Sequence, residues 1–175
     1  MKPCNAHSVA ELINPELYEE VENCDNKVET LIALYMEKLE LLRTCTLDNE
    51  EDRDEHIKDC YIQIKELNIR QYGEKDKRSL KALRNLVILL TRKQQYDDAL
   101  ANLETVEKVE SELFGLKSKQ IAKTYSLKGT LYLRNGDKRK AKQYFQKSEE
   151  IYKELGDEEG AKKTHEKLVI LNQAQ

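Results

Sequence analysis

Two successive stretches of this chain carry the same residue pattern. Laying Leu80–Leu113 over Ala122–Leu155, an offset of 42 residues, places Leu90 over Tyr132, Arg92 over Arg134, Ala99 over Ala141, Leu103 over Phe145, Glu107 over Glu149 and Val109 over Ile151. A fixed period of this size implies similar modules stacked in a row, each hiding its apolar face against the next. The junctions recur too: Tyr72-Gly73, Phe114-Gly115 and Leu155-Gly156 close three successive helices, with glycines 42 and then 41 residues apart. Glycine is expected just past a helix end, where the backbone turns to positive φ. Asp76 and Ser118, also 42 apart, are placed to cap the helices that follow.

Inside each module the apolar residues recur with helical period and the pattern breaks once. Leu83, Leu86, Val87 and Leu90 form one stripe; Gln94-Gln95-Tyr96-Asp97 interrupts; Ala99, Leu103, Val106 and Val109 form the next. The second module runs Tyr125, Gly129 and Tyr132, then Asn135-Gly136-Asp137, then Ala141, Phe145 and Ile151. Each module therefore reads as a helical hairpin whose helices approach closely at Gly129 and Ala141, with aromatic rings filling the space beside them. With 6 Gly and 2 Pro in 175 residues there is too little turn chemistry for a sandwich or barrel.

The stretch Tyr125-x3-Gly129-x2-Tyr132-x3-Gly136-Asp137-x3-Ala141-x3-Phe145 resembles the tetratricopeptide repeat, with Lys128 where an apolar residue is more usual. In the preceding module Val87 stands at the small position and Gln95 at the turn glycine, while Tyr96, Ala99 and Leu103 still fit. The 42-residue spacing and the Tyr-Gly or Phe-Gly junctions resemble the longer-helix repeats of kinesin light chains and of several ciliary proteins. The resemblance covers residues 72–156. It implies an all-α, right-handed helical-hairpin solenoid with a degenerate N-terminal repeat and a C-terminal capping helix.

Shifting back by 42 sets Ile57, Tyr61, Ile64 and Leu67 under Ala99, Leu103, Val106 and Val109, so residues 55–71 read as the second helix of an earlier repeat. Its first helix falls within 15–44, opened by Asn14-Pro15 and striped by Leu31, Leu34, Tyr35, Leu39 and Leu42. Asp48-Asn49-Glu50-Glu51-Asp52 reads as a charged loop between them. The expected organisation is a disordered segment 1–13, acidic helices over 14–71, two repeats over 72–156 and a capping helix over 157–175. Leu168, Ile170 and Leu171 supply the apolar side of that cap. Six to eight helices are expected.

Chemistry is sparse. Cys4, Cys24, Cys45 and Cys60 form no C-x-x-C pair, and His7, His56 and His165 are singletons, so neither metal nor cofactor is expected. The thiols read as reduced, partly buried side chains. There is no phosphate loop, nucleophile elbow or H-E-x-x-H helix, so catalysis is not expected. The longest apolar run, Leu86 to Leu90, is far short of the roughly 20 residues of a membrane span, and no signal-peptide core follows Lys2. A soluble cytoplasmic protein is expected, with a cytoskeletal or ciliary setting if the resemblance extends that far.

Charge is unevenly placed although the net charge is only −3. Between Lys117 and Lys147 there are ten Lys or Arg and one acid, Asp137; between Glu11 and Asp59 there are sixteen acids and five bases. A basic surface of this kind would attract an acidic peptide, unless Glu149, Glu150, Glu154, Asp157, Glu158 and Glu159 neutralise it. The resemblance implies a concave groove lined by the first helix of each repeat, which selects Lys81, Arg84, Asn85, Ile88 and Arg92, then Lys123, Ser126, Thr130 and Arg134. Asn can hold a peptide backbone, and Lys or Arg a carboxylate. Only Asn85 is available where a chaperone-type carboxylate clamp needs two asparagines. Tyr125, Tyr132 and Tyr144 interleave with the basic residues, but two of them occupy packing positions, so nucleic acid is not the expected partner.

Three readings follow. The first is a non-enzymatic scaffold that binds an acidic or extended peptide of a partner protein in its groove and basic flank. The second is a structural component of a ciliary or microtubule-associated complex, touching partners through convex surfaces and termini. The third is salt-sensitive, head-to-tail self-association of the acidic and basic halves.

Overall fold

The structure, a computed structural model, describes residues 26–44 and 50–173. The described residues form seven helices and no strand: α1 Lys27–Thr44, α2 Glu50–Tyr72, α3 Lys77–Arg92, α4 Tyr96–Phe114, α5 Lys119–Arg134, α6 Lys138–Glu154 and α7 Glu158–Gln173. They divide into two compact units, one up to Leu86 and the other from Val87 onward. The expectations for residues 1–13 and for a helix start at Asn14-Pro15 lie outside the described residues. Glu50, Glu51 and Asp52, read from sequence as part of a loop, belong to α2. The reason is local: a carboxylate such as that of Asp52 is favoured in a first helical turn by the exposed N–H groups there.

In the first unit α1 packs on α2. Of the expected stripes Leu39, Leu42, Ile57, Tyr61 and Ile64 are buried, as are Cys60, Leu80 and Leu83, while Leu31, Leu34, Tyr35 and Leu67 are half-buried. The Arg43 guanidinium donates to the Tyr61 hydroxyl (2.5 Å) and the Tyr72 hydroxyl donates to Glu29 (2.9 Å), tying the two helices at both ends. Asp76 caps α3 by accepting from the Arg78 backbone N–H (2.8 Å), while the Ser79 hydroxyl donates to the Gly73 carbonyl (2.8 Å).

In the second unit α4 packs on α5, α5 on α6 and α6 on α7. The close approach expected at Gly129 is present: a Cβ there would lie 2.6 Å from Cδ1 of Phe145, which is buried with Ala141, Leu168 and Leu171. Gly160 plays the same part under Tyr152, where a Cβ would lie 2.5 Å from the ring. Leu168 and Leu171 are buried as expected, whereas Ile170 is 62% exposed. Ile170 is two residues from Leu168, about 200° round the helix, and so faces away.

The α4–α5 contact is polar. The Thr124 hydroxyl donates to Glu110 Oε2 (2.7 Å), a carboxylate buried to 2% exposure, and Lys128, 4% exposed, pairs with Glu107. A lysine at a position that usually holds an apolar side chain is thus matched by an acid 21 residues away on α4. Within the α5–α6 hairpin the Ser148 hydroxyl donates to the Ala122 carbonyl (2.7 Å).

The short turns share one hydrogen-bond scheme. Asp137 N–H donates to the Tyr132 carbonyl (2.8 Å), Asp157 N–H to the Tyr152 carbonyl (2.9 Å) and Gln95 N–H to the Leu90 carbonyl (2.9 Å), with Gly136, Gly156 and Gln94 at φ 86°, 69° and 59° just before them. This is the six-to-one closure of a helix C-terminus. The residue at the turn-glycine position is therefore Gln94, 42 residues before Gly136 and one residue earlier than the Gln95 given by the pattern match, and Gln95 takes the place of the capping Asp137. Gly156 also belongs with Gly136 rather than with Gly73 and Gly115. α6 is two residues shorter than α4, and Gly156 stands one place further past its helix end than Gly115 does, which together account for the step of 41.

Candidate functional site

In each unit a cleft among the described residues takes in residues selected from the sequence. In the first, Lys81 and Asn85 of α3 stand over a mostly apolar floor that includes Ile32 and Met36 of α1 and Tyr61 and Ile64 of α2. Arg78 also lines this cleft; Arg84, half-buried, does not. In the second, Lys123, Ser126 and Thr130 of α5 face Lys163, Thr164, Glu166 and Lys167 of α7, with Tyr152 of α6 also lining the cleft. Ile88, Arg92 and Arg134 are exposed and line neither cleft.

The placement follows from helical geometry. Lys123, Ser126 and Thr130 stand at i, i+3 and i+7 and so share one side of α5, and on α7 Lys167 stands four residues after Lys163 and three after Thr164, which puts it beside both. The α7 residues were missed because 157–175 reads as a cap. A signal was available in Lys163 and Lys167, four residues apart on a helix that also carries a buried stripe.

The hydroxyls in this cleft are mostly committed to the backbone. Thr130 donates to the Ser126 carbonyl (3.0 Å) and Thr164 to the Gly160 carbonyl (2.9 Å). Ser126 is different: its side-chain oxygen accepts from the Lys167 ammonium (2.9 Å). Lys163 is paired with Glu159 (2.5 Å). Lys167 is half-buried, lies 5.5 Å from the Phe145 ring centroid, and burial holds its ammonium below the usual lysine range.

The basic stretch is partly neutralised. Lys117 pairs with Glu154 (2.8 Å), Lys119 with Asp157 (2.5 Å), Lys140 with Asp137 (3.6 Å) and Lys128 with Glu107. The Glu154 and Asp157 carboxylates hold the Lys117 and Lys119 ammonium groups above the usual lysine range. Two of the acids named from sequence as neutralising groups therefore do that work, while Glu149 is taken by Lys153 (2.6 Å) and His165 (3.2 Å). The interleaved tyrosines pack on one another. Tyr132 and Tyr144 stack with centroids 5.4 Å apart, Tyr125 meets Tyr144 at 5.8 Å, and Lys147 sits 5.3 Å from the Tyr144 centroid. Burial and the neighbouring Glu107 push the Tyr125 phenol up to about 12.

No helix among the described residues is long and apolar enough to cross a membrane. The chain is an all-α helical-repeat protein, as two solved structures of similar fold bear out. One is BtubC (BKLC) from P. vanneervenii, at 15% identity and TM-score 0.50, the match covering 97% of this chain and 88% of that one. The other is a kinesin-light-chain-like protein of Podosopora anserina with nearly identical TPR-like repeats, at 11% identity and TM-score 0.50, the match covering 90% of this chain and 92% of that one. Comparison with curated protein sequences finds no match. The tetratricopeptide-repeat family model matches residues 78–154, so that stretch is similar to tetratricopeptide repeats. Repeats of this family mediate protein–protein interaction and in general do so without catalysis.

Proposed function

We propose that this chain is a non-enzymatic interaction module that holds an acidic or extended peptide segment of a partner protein. The observation that carries the proposal is the α5–α7 cleft, lined by Lys123, Lys163, Lys167 and Glu166, where Lys163 is already paired with Glu159 while Lys123 and Lys167 have no carboxylate partner among the described residues. A focused positive field speeds encounter with an acidic segment and weakens as salt rises. Arg134, exposed at the end of α5, extends the flank. Lys81 and Asn85 give the first unit its own polar edge over an apolar floor, suited to an extended backbone.

The experiment is a Lys123→Glu/Arg134→Glu double charge reversal, with the partners captured by the intact protein from its native cell compared with and without the change. Loss of the captured partner, with the helical circular-dichroism spectrum intact, is expected. An unchanged set of partners overturns the cleft assignment.

A second reading, a structural component that touches its neighbours through convex surfaces and turns, draws on four exposed apolar residues. Leu113, Phe114, Leu116 and Leu155 are 40%, 40%, 65% and 46% exposed at the α4–α5 and α6–α7 connections. Isolated exposed apolar residues are ordinary, but a group of them at turns fits a contact surface. In that case the charge reversal is silent, and Phe114→Ser/Leu116→Ser abolishes incorporation instead.

A further inference from the structure

We propose that Lys167 and Ser126 form a carboxylate-receiving subsite in the α5–α7 cleft, where an acidic side chain or chain terminus of the bound peptide becomes the counter-charge of Lys167. The inference rests on the peptide-binding reading above and names the part of the cleft that recognises charge.

The argument starts from an imbalance. Elsewhere in the second unit the cations removed from water have carboxylates: Lys128 has Glu107, and among the more exposed ones Lys117 has Glu154, Lys119 has Asp157, Lys153 has Glu149 and Lys163 has Glu159. Lys167 is half-buried, yet its ammonium meets only the neutral Ser126 hydroxyl at 2.9 Å and the face of Phe145 at 5.5 Å. No carboxylate among the described residues lies within ion-pairing distance of it. Taking a charge out of water without a counter-charge is costly. That cost is visible as the depressed ammonium of Lys167, whose cause is burial alone.

The surroundings are arranged to relieve the imbalance from outside. An ammonium has three donors, of which Ser126 takes one. The Ser126 oxygen is used as an acceptor, which leaves its own O–H to donate to an incoming oxygen. Thr130 and Thr164 are spent on backbone carbonyls, so Ser126 is the hydroxyl of the cleft that can answer a ligand. Lys123 stands exposed along the same cleft and supplies long-range attraction, while Lys163 is already paired with Glu159 and Glu166 opposes a second negative charge. One ammonium and one hydroxyl suit a monoanionic carboxylate. A phosphate dianion calls for more donors, typically an arginine fork or free N–H groups of a helix N-terminus; no arginine lines this cleft, and the first-turn N–H of Gly160, which does line it, is already given to Asp157 Oδ1 (2.9 Å).

The test uses the full chain and two probes: N-acetylated, C-terminally amidated hexaglutamate, and N-acetyl-hexaalanine with a free C-terminus. Binding is followed by carbon-13 NMR of lysine Cε resonances and by calorimetry at low and high salt. In the free protein Lys167 is expected to lose its proton at lower pH than the other lysines, and to move up toward them when a probe binds. Hexaglutamate alone producing that shift assigns the site to acidic side chains; the free terminus alone producing it assigns the site to chain ends. Lys167→Met is expected to weaken the effective probe by about tenfold or more, as removal of a charge-assisted hydrogen bond does. Ser126→Ala weakens it severalfold and stands in if Lys167→Met does not fold. If Lys123→Glu weakens hexaglutamate while Lys167→Met and Ser126→Ala leave it unchanged, the subsite is wrong and the cleft reading survives. If neither probe binds, both fall.

Discussion

Substituting Gly129 by alanine sets two effects of known size against each other. Alanine is favoured over glycine inside a helix by about 1 kcal/mol, so on propensity alone the change should stabilise α5. Packing opposes it. The new Cβ would lie 2.6 Å and 2.7 Å from Cδ1 and Cε1 of Phe145 and 3.0 Å from Cγ, about 1 Å inside the usual contact distance. Phe145 is 1% exposed and hemmed in by Ala141, Leu168 and Leu171, so the ring has nowhere to retreat. Overpacking of this kind costs roughly 1–3 kcal/mol, or more where the neighbours are rigid. Gly129→Ala is therefore expected to destabilise by about 1–2 kcal/mol, lowering the melting temperature by about 2–8 °C. The first repeat shows how the clash can be relieved. There the equivalent residues are Val87 and Leu103, both fully buried, a larger residue on one helix matched by a smaller one on the other. Phe145→Leu alone should cost about 1–2 kcal/mol by leaving a void, whereas the double variant should cost less than the sum by about 1–2 kcal/mol. Urea denaturation of the four proteins, followed by circular dichroism, measures the coupling. A Gly129→Ala protein more stable than its parent, or strictly additive substitutions, would refute the claim that α5 and α6 touch backbone to ring.

Four further outcomes are expected. Gln94→Gly, which removes a side chain held at φ 59°, should raise stability by about 0.5–1 kcal/mol. Gln95→Asp should add about 1 kcal/mol, because Gln95 makes no cap and its side-chain carbonyl is buried without a partner, whereas Asp137 and Asp157 accept from Lys140 N–H and Gly160 N–H at 2.9 Å each; thermal melts of both variants check this, and no gain in either counts against the turn geometry. Burial pushes the Cys60 thiol up to about 11, so the protonated form is favoured in the fold, and the resulting stability is complete below the ordinary thiol range and lost as pH climbs through about 11. Iodoacetamide at pH 8 should accordingly modify Cys60 only at the rate of unfolding, and rapid modification of the native protein, mapped by mass spectrometry, contradicts it. Lys128→Met alone should cost roughly 2–4 kcal/mol by stranding Glu107, while Lys128→Met/Glu107→Gln should recover most of that; equal losses in the single and double variants, measured by denaturation, would remove the pair from the list of supports.

Much of this fold can be read from residue spacing because a helix turns every 3.6 residues whatever its neighbours are. Leu83, Leu86, Val87 and Leu90, and Ala99, Leu103, Val106 and Val109, are all buried where the periodicity puts them. Spacing is less informative where a residue of the wrong type occupies a special backbone position. Gln94 sits at positive φ with no glycine to mark it, and although the offset of 42 from Gly136 points to it, the pattern match places the turn position one residue late, at Gln95. Gly160 illustrates the opposite difficulty. It stands in the first turn of α7, where glycine draws no notice, and only the Tyr152 ring above it shows that a side chain there would collide.

The cleft was half legible for a related reason. Lys123, Ser126 and Thr130 share a side of one helix, which spacing alone establishes. Their partners on α7 lie about 40 residues further on, and Lys167 reaches Ser126 across 41 positions. Acids on other helices likewise neutralise part of the basic stretch from a distance in sequence, Glu154 pairing with Lys117 across 37 residues and Glu107 with Lys128 across 21. Counting charge in a window of sequence therefore overstates the field of that window, since the register between helices decides which cations keep their charge for a ligand. Lys128, inside the basic run, is buried and spent on Glu107, while Lys167, outside it, is half-buried with a hydroxyl for company. What makes a lysine available to a partner is the absence of a carboxylate on the helix it packs against, and that absence is a property of the stacked repeats rather than of any one of them.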